Sequence, residues 1–115
     1  MYKVANLISK IKAEKISDKS LIKKIKLKKG TEAIILLDEK GEKVTTEKFK
    51  HLLFGTSFSK ILFVLGGTDG FSEEIMNLSN KQISLSKMTL THSFAAIILL
   101  EQIYRSVTIK INHPY

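Results

Sequence analysis

Ile61-Leu62-Phe63-Val64-Leu65 runs straight into Gly66-Gly67-Thr68-Asp69-Gly70, and then into Ser72-Glu73-Glu74 ahead of Ile75, Met76 and Leu78. A short unbroken apolar run bounded by glycines reads as a buried strand. The glycines end it. Acidic residues then open a helix, where they suit the positive end of the helix dipole. The stretch is therefore strand, tight turn, helix, the building unit of a parallel sheet.

Working outward, the same grammar repeats. Ala33-Ile34-Ile35-Leu36-Leu37 is a second apolar run, read as a strand buried on both faces. Before it, Asp18 or Ser20 caps a short helix with Leu21, Ile22 and Ile25, which Lys28-Lys29-Gly30 ends. After it, Asp38 to Glu42 reads as a turn around Gly41. Thr45 or Thr46 then starts a helix holding Phe49, Leu52 and Leu53, which stops at Gly55. Downstream, Gln82 to Leu85 reads as a short third strand, Ser86 to His92 as a loop, and Ser93 to Val107 as a long helix. Tyr2 to Ile8 suits either a strand or the start of a helix. The expected fold is α/β, a mainly parallel sheet with helices on both faces, formed by residues 1–115 as a single domain.

Composition narrows the chemistry. With 43% hydrophobic and 26% charged residues in 115, the chain suits one folded domain. It has no Cys, which excludes disulfides, thiolate metal sites and a Cys nucleophile, and its three His form no spaced pair, so no metal is expected. The longest apolar run, Phe94 to Leu100, is far short of a membrane span, and the N-terminus shows no secretory pattern. A cytoplasmic protein is expected.

The net charge of +8 is unevenly placed. Residues 1–60 hold 15 Lys against 7 acids, whereas residues 61–115 balance 4 against 4. A basic half beside a neutral, apolar half suits a polyanion, nucleic acid first. A membrane surface is the weaker reading, because the lysines do not trace one face of an amphipathic helix. A plain solvated Lys-rich face is the third. The helix from Phe94 is apolar on nearly all sides up to Leu100, which suits burial against a second chain.

Three segments are candidates for chemistry. The glycines of residues 66–70 sit where a parallel sheet receives ligands, although the pattern is neither GxGxxG nor a phosphate loop. Ser86-Lys87-Met88-Thr89-Leu90 places apolar residues in a loop, either as local packing or as a pocket wall. Asn112-His113-Pro114-Tyr115 offers an imidazole able to exchange protons near neutral pH and a ring able to stack on a base.

Taken together, LFVLGGTDGFSEEI, ISLSKMTLTHSFAAIILLEQIYRS and NHPY resemble the RlmH family of the SPOUT class of knotted methyltransferases. Asp38-Glu39-Lys40-Gly41 is similar to a further family motif, and the match covers about residues 33–115. The resemblance implies a homodimer with a C-terminal trefoil knot, a rare exception to unknotted folds. It implies methyl transfer from S-adenosylmethionine to a pseudouridine of large-subunit (23S) ribosomal RNA. Leu37 and Gly66, with Leu85, Ser86, Lys87, Met88, Thr89 and Leu90, are the implied cofactor contacts. His113 is the candidate proton acceptor, with Tyr115 and Arg105 beside it as RNA-facing catalytic candidates. Family members are longer, by about one β–α unit at the N-terminus. Thr91 stands where the family has Pro, and Ala96 where it usually has Arg. An alternative reading is a knotted RNA-binding or ribosome-associated protein without catalysis.

Overall fold

The computed structural model describes residues 18–55, 57, 58, 60–66 and 70–110. Seven elements follow in order: α1 (Asp18–Lys28), β1 (Ala33–Lys43), α2 (Thr46–Gly55), β2 (Ile61–Leu65), α3 (Glu73–Leu78), β3 (Lys81–Ser84) and α4 (His92–Lys110). The element expected over Tyr2 to Ile8 lies outside the described residues.

The sheet has strand order β2-β1-β3, and both pairings are parallel. β1 is central, so Ala33 to Leu37 are all buried. Alternation along the strand divides them between two cores. Ile35 and Leu37 join Phe49 of α2, Ile83 of β3, and Leu99 and Ile103 of α4 on one face. Ile34 and Leu36 join Ile25 of α1, Val64 of β2 and Ile75 of α3 on the other. The result is three layers, helix–sheet–helix, as the sequence leads one to expect.

Local chemistry sets the element ends. Gly30 takes a φ of +92°, a conformation open to glycine, and so turns the chain out of α1. The Thr45 hydroxyl accepts from the Lys48 amide at 3.1 Å and starts α2. Ser72 caps α3 in the same way, accepting from the Ile75 amide at 3.3 Å. Ahead of β3, Asn80 copies a strand pairing. Its side-chain oxygen accepts from the Ile34 amide at 2.7 Å, and its own amide donates to the Ile34 carbonyl at 2.8 Å.

Several details differ from the sequence reading. β2 is an edge strand in which only Val64 is buried, because its outer side has no neighbouring strand among the described residues. β3 spans Lys81–Ser84, one residue earlier than read, with Leu85 already in the loop. α4 starts at His92 and runs to Lys110. The largest difference is at Asp38 to Glu42, which is not a free turn. β1 leaves the sheet after Leu37 and returns, so that Ile83 is the register partner of both Leu37 and Glu42. Gly41 makes this possible: a Cβ there would lie 2.8 Å from backbone atoms of Gln82 and Ile83. Only glycine lets two backbones approach so closely.

Candidate functional site

The parallel register brings the carboxyl ends of the three strands together. Leu37 lies abreast of Leu65 on one side and of Ile83 on the other. Gly66 therefore follows β2 at the same edge where the chain leaves β3 through Leu85. Leu37, Leu65 and Leu85 share one apolar cluster. The carboxyl edge is where open α/β sheets take their ligands.

The loop after β3 is shaped by short polar contacts. The Ser84 hydroxyl donates to the Ser86 carbonyl at 2.7 Å, and the Ser86 hydroxyl accepts from the Met88 amide at 2.9 Å. Ser84 itself is buried. This turn leaves Leu85 and Leu90 half-covered, with Lys87 and Thr89 outside and Met88 74% exposed. Leu85 packs against the first core, while Met88 presents an exposed thioether that adapts well to a flat ring.

Gly66 contributes differently from the expectation that its missing side chain leaves room for ligand alone. A Cβ at Gly66 would come within 2.9 Å of the Phe71 ring. Phe71 packs against the second core, so the bare Gly66 also makes room for that ring. Its carbonyl lies 3.2 Å from Nδ1 of His92, which ties the first residue of α4 across to the end of β2. Sequence reasoning treated His92 as ordinary. The signal available was its fixed place in the Thr-Leu-Thr-His stretch that closes the loop.

Arg105 stands apart from this edge. It lies 13 residues beyond His92 on α4, about 20 Å along the helix axis at 1.5 Å per residue. Its Nε donates to the Glu101 carboxylate at 2.9 Å, one turn earlier. Thus the chain brings Leu37, Gly66 and the Leu85–Leu90 loop together and does not bring Arg105 to them. His113 and Tyr115 lie outside the described residues, as do Gly67, Thr68 and Asp69.

Two cavities flank the region. One of about 240 Å³, lined by Thr46, Phe49, Leu85, Ile98 and Gln102 among others, reaches the start of the loop. A larger one of about 530 Å³ opens on the opposite, amino-terminal edge, where Ala33, Phe58, Asn80 and Lys81 meet. Among the described residues, no group of three or more His, Asp or Glu is placed to hold a metal ion, and no helix is long and apolar enough to cross a membrane.

A family model described as "Predicted SPOUT methyltransferase" matches residues 3–115. The chain belongs to the SPOUT methyltransferase family. Among its SPOUT relatives is Ribosomal RNA large subunit methyltransferase H of Dictyoglomus thermophilum, 45% identical over 111 residues, or 94% of this chain and 68% of that protein. The protein of the same name from Campylobacter lari is 48% identical over 70% of this chain and 52% of its own length. That from Prochlorococcus marinus is 42% identical over 76% and 60%. The chain thus spans between about half and two thirds of these relatives. Among solved structures, Archaeoglobus fulgidus Nep1 bound to S-adenosylhomocysteine superimposes with a TM-score of 0.53 at 20% identity, over 73% of this chain and 37% of that one. At that identity the likeness concerns the SPOUT fold.

The donor set fits an adenosyl cofactor. The loop supplies apolar surface at Leu85, Met88 and Leu90, and the ends of three strands supply backbone amides and carbonyls at Leu37, Gly66 and the loop itself. A purine and a thioether chain need both.

Proposed function

We propose that this chain, as one domain over residues 1–115, transfers a methyl group from S-adenosylmethionine to a pseudouridine of large-subunit ribosomal RNA. The observation that carries the reading is the convergence of Leu37, Gly66 and the Leu85–Leu90 loop at one sheet edge, in a chain of the SPOUT methyltransferase family. The loop would be the threaded part of a C-terminal trefoil knot.

When bound, S-adenosylmethionine supplies a methyl carbon on a sulfonium. The residues present hold and orient it. Met88 and Leu90 cover its apolar parts, and the backbone at Leu37, Gly66 and Ser86 accepts or donates to its polar ones. The accepting ring nitrogen gives up its proton as it gains the methyl group; His113 is the proposed acceptor and Tyr115 a stacking surface for the base. The gain from the site is chiefly proximity and alignment.

The same reading includes a homodimer. α4 buries Leu99, Ile103 and Val107 in the core but leaves Phe94 62%, Ile97 60% and Leu100 45% exposed on its other side. That apolar stripe suits a two-fold contact with a second copy. A two-fold axis perpendicular to α4 near the middle of the stripe would set the helices antiparallel. It carries Arg105 of one copy toward the strand ends of the other and so removes the 20 Å gap along α4. The work then takes place on ribosomal RNA, in the cytoplasm.

The test is direct. Purified protein is titrated with S-adenosylmethionine in a calorimeter, then incubated with ribosomes, and the ribosomal nucleosides are weighed by mass spectrometry. The expected result is saturable binding and one methyl added to one pseudouridine. Met88→Asp, a change at an exposed side chain, is expected to weaken cofactor binding at least tenfold with the fold intact. Binding to ribosomes with no cofactor binding would favour the alternative, a knotted RNA-binding protein without catalysis.

A further inference from the structure

The lysines of α1 divide into two sets according to what holds them. At the end of the helix, Lys28 Nζ lies 2.9 Å from the Glu32 carboxylate, a side chain only 13% exposed. Lys29 Nζ donates to the Leu78 carbonyl at 3.2 Å and so staples α1 to the end of α3. One turn earlier, Lys26 lies 3.5 Å from Glu74, with both side chains more than half exposed. Lys19 and Lys23 are exposed and make no ion pair or hydrogen bond with the described residues. Positions 19, 23 and 26 fall along one side of a helix, turned away from the side on which Ile25 is buried.

The direction of α1 shows where that row leads. Lys26 faces Glu74 near the start of α3, and Lys29 faces Leu78 at its end, so the two helices run the same way. Each then feeds a strand at the amino edge of the sheet, so both run against the strands. Backward from Lys26, Lys23 and Lys19 lie about 4.5 and 10 Å further along the axis, toward the carboxyl edge. Leu21 and Ile22, between them in sequence, share a core with Phe71, and Phe71 is the ring that abuts Gly66. Lys19 and Lys23 therefore border the edge where Leu37, Gly66 and Leu85 meet.

We infer that Lys19 and Lys23 are backbone contacts for the RNA substrate, while Lys28 and Lys29 are struts of the fold. The inference rests on the reading of the chain as a ribosomal RNA methyltransferase. The ligand chemistry is the phosphodiester anion, which free ammonium groups attract without reading sequence. The nearest acids on the packed element are Glu73 and Glu74, and Lys26 already offsets Glu74.

The experiment compares two double variants of the whole chain. Binding to purified ribosomes is measured against salt for the wild type, for Lys19→Gln with Lys23→Gln, and for Lys28→Gln with Lys29→Gln. S-adenosylmethionine affinity and thermal midpoint are recorded for each. Losing two phosphate contacts should reduce the slope of log K against log salt by about 1.4 to 1.8. The first pair is expected to do this with unchanged cofactor affinity and melting, and Lys19→Arg with Lys23→Arg should restore the slope. The second pair is expected to lower the melting temperature and keep the wild-type slope. Equal loss of slope in both pairs, or a wild-type slope in the first, overturns the assignment and leaves the methyltransferase reading standing. A wild-type protein that shows no salt-dependent ribosome binding overturns both.

Discussion

α1 and α4 lie on opposite faces of one sheet and solve the same problem differently. α1 turns Ile25 fully inward, packs Leu21 and Ile22 against the same core, and gives most of its remaining surface to lysines. Its apolar surface is used up apart from Leu27, which is 82% exposed. α4 also fills a core, with Leu99 and Ile103, yet keeps a second apolar face at Phe94, Ile97 and Leu100. One helix is finished within the chain and presents charge. The other is half finished and presents surface that water disfavours. The two proposed partners, a polyanion for the first face and a second copy for the second, rest on this difference.

The strongest way to break this contrast is to charge each helix where it is exposed. Ile97→Asp should turn a dimer into a 13.0 kDa species in light scattering. Two symmetry-related isoleucines are lost, at about 3–6 kcal/mol in total. Leu27→Asp, at a still more exposed residue of α1, should leave the mass in solution unchanged. A dimer that survives Ile97→Asp would remove the proposed role of α4. Ile98 is half-covered and lines the small cavity with Thr46 and Gln102, so a charge there would also disturb packing within the chain.

Next in size, Ile25→Ala should cost about 2–5 kcal/mol in urea unfolding, since the side chain is fully buried. Phe94→Ala, by contrast, should change the stability of the monomer by less than about 0.5 kcal/mol. Smaller again, Lys28→Gln leaves the mostly covered Glu32 without its partner and should cost about 0.5–1 kcal/mol. Lys23→Gln should cost nothing measurable.

The smallest effect lies on α2. Lys50 donates a hydrogen bond to Glu47 and stands 2.8 Å away, holding that carboxyl below its usual range; the Lys50 charge and then His51 act in the same direction. Because the folded value is depressed, the contribution is present above the ordinary carboxylate pKa of about 4.3 and fades as pH falls through the folded value. The group is fully exposed, so the check is spectroscopic. In an NMR titration, Lys50→Gln should move the Glu47 midpoint up toward its ordinary value, with stability at neutral pH unchanged.

How far the sequence led is clearest in the two apolar runs. AIILL and ILFVL look equivalent, and both were legible as strands from their length and flanks, charged residues around the first and Gly66 after the second. Both pack against the two cores, but only the first is fully buried, because among the described residues only β1 has a strand on each side and β2 lies at an edge. Neighbour count is a tertiary property and leaves no mark on five residues. The all-apolar α4 was legible as needing burial, read as burial against a second chain, and the structure shows that the chain's own core covers Leu99 and Ile103. In the candidate site, glycine after a strand and an apolar loop were visible locally, while their convergence depends on register. The Thr-Leu-Thr-His stretch marked where His92 stands but not what it touches, since its contact is to a carbonyl 26 residues away in sequence.

Asp38 to Gly41 has the composition of a surface turn, the kind of place where chains accept extra residues. It is instead a segment of fixed length. Both of its ends are registered to Ile83, and Gly41 rests on the backbone of β3. An insertion here would push the chain off one of its two seats on β3, and with it the loop that leaves from Ser84. For anyone grafting a tag, a label or a binding peptide onto this protein, this acidic, glycine-containing stretch is therefore the site to avoid.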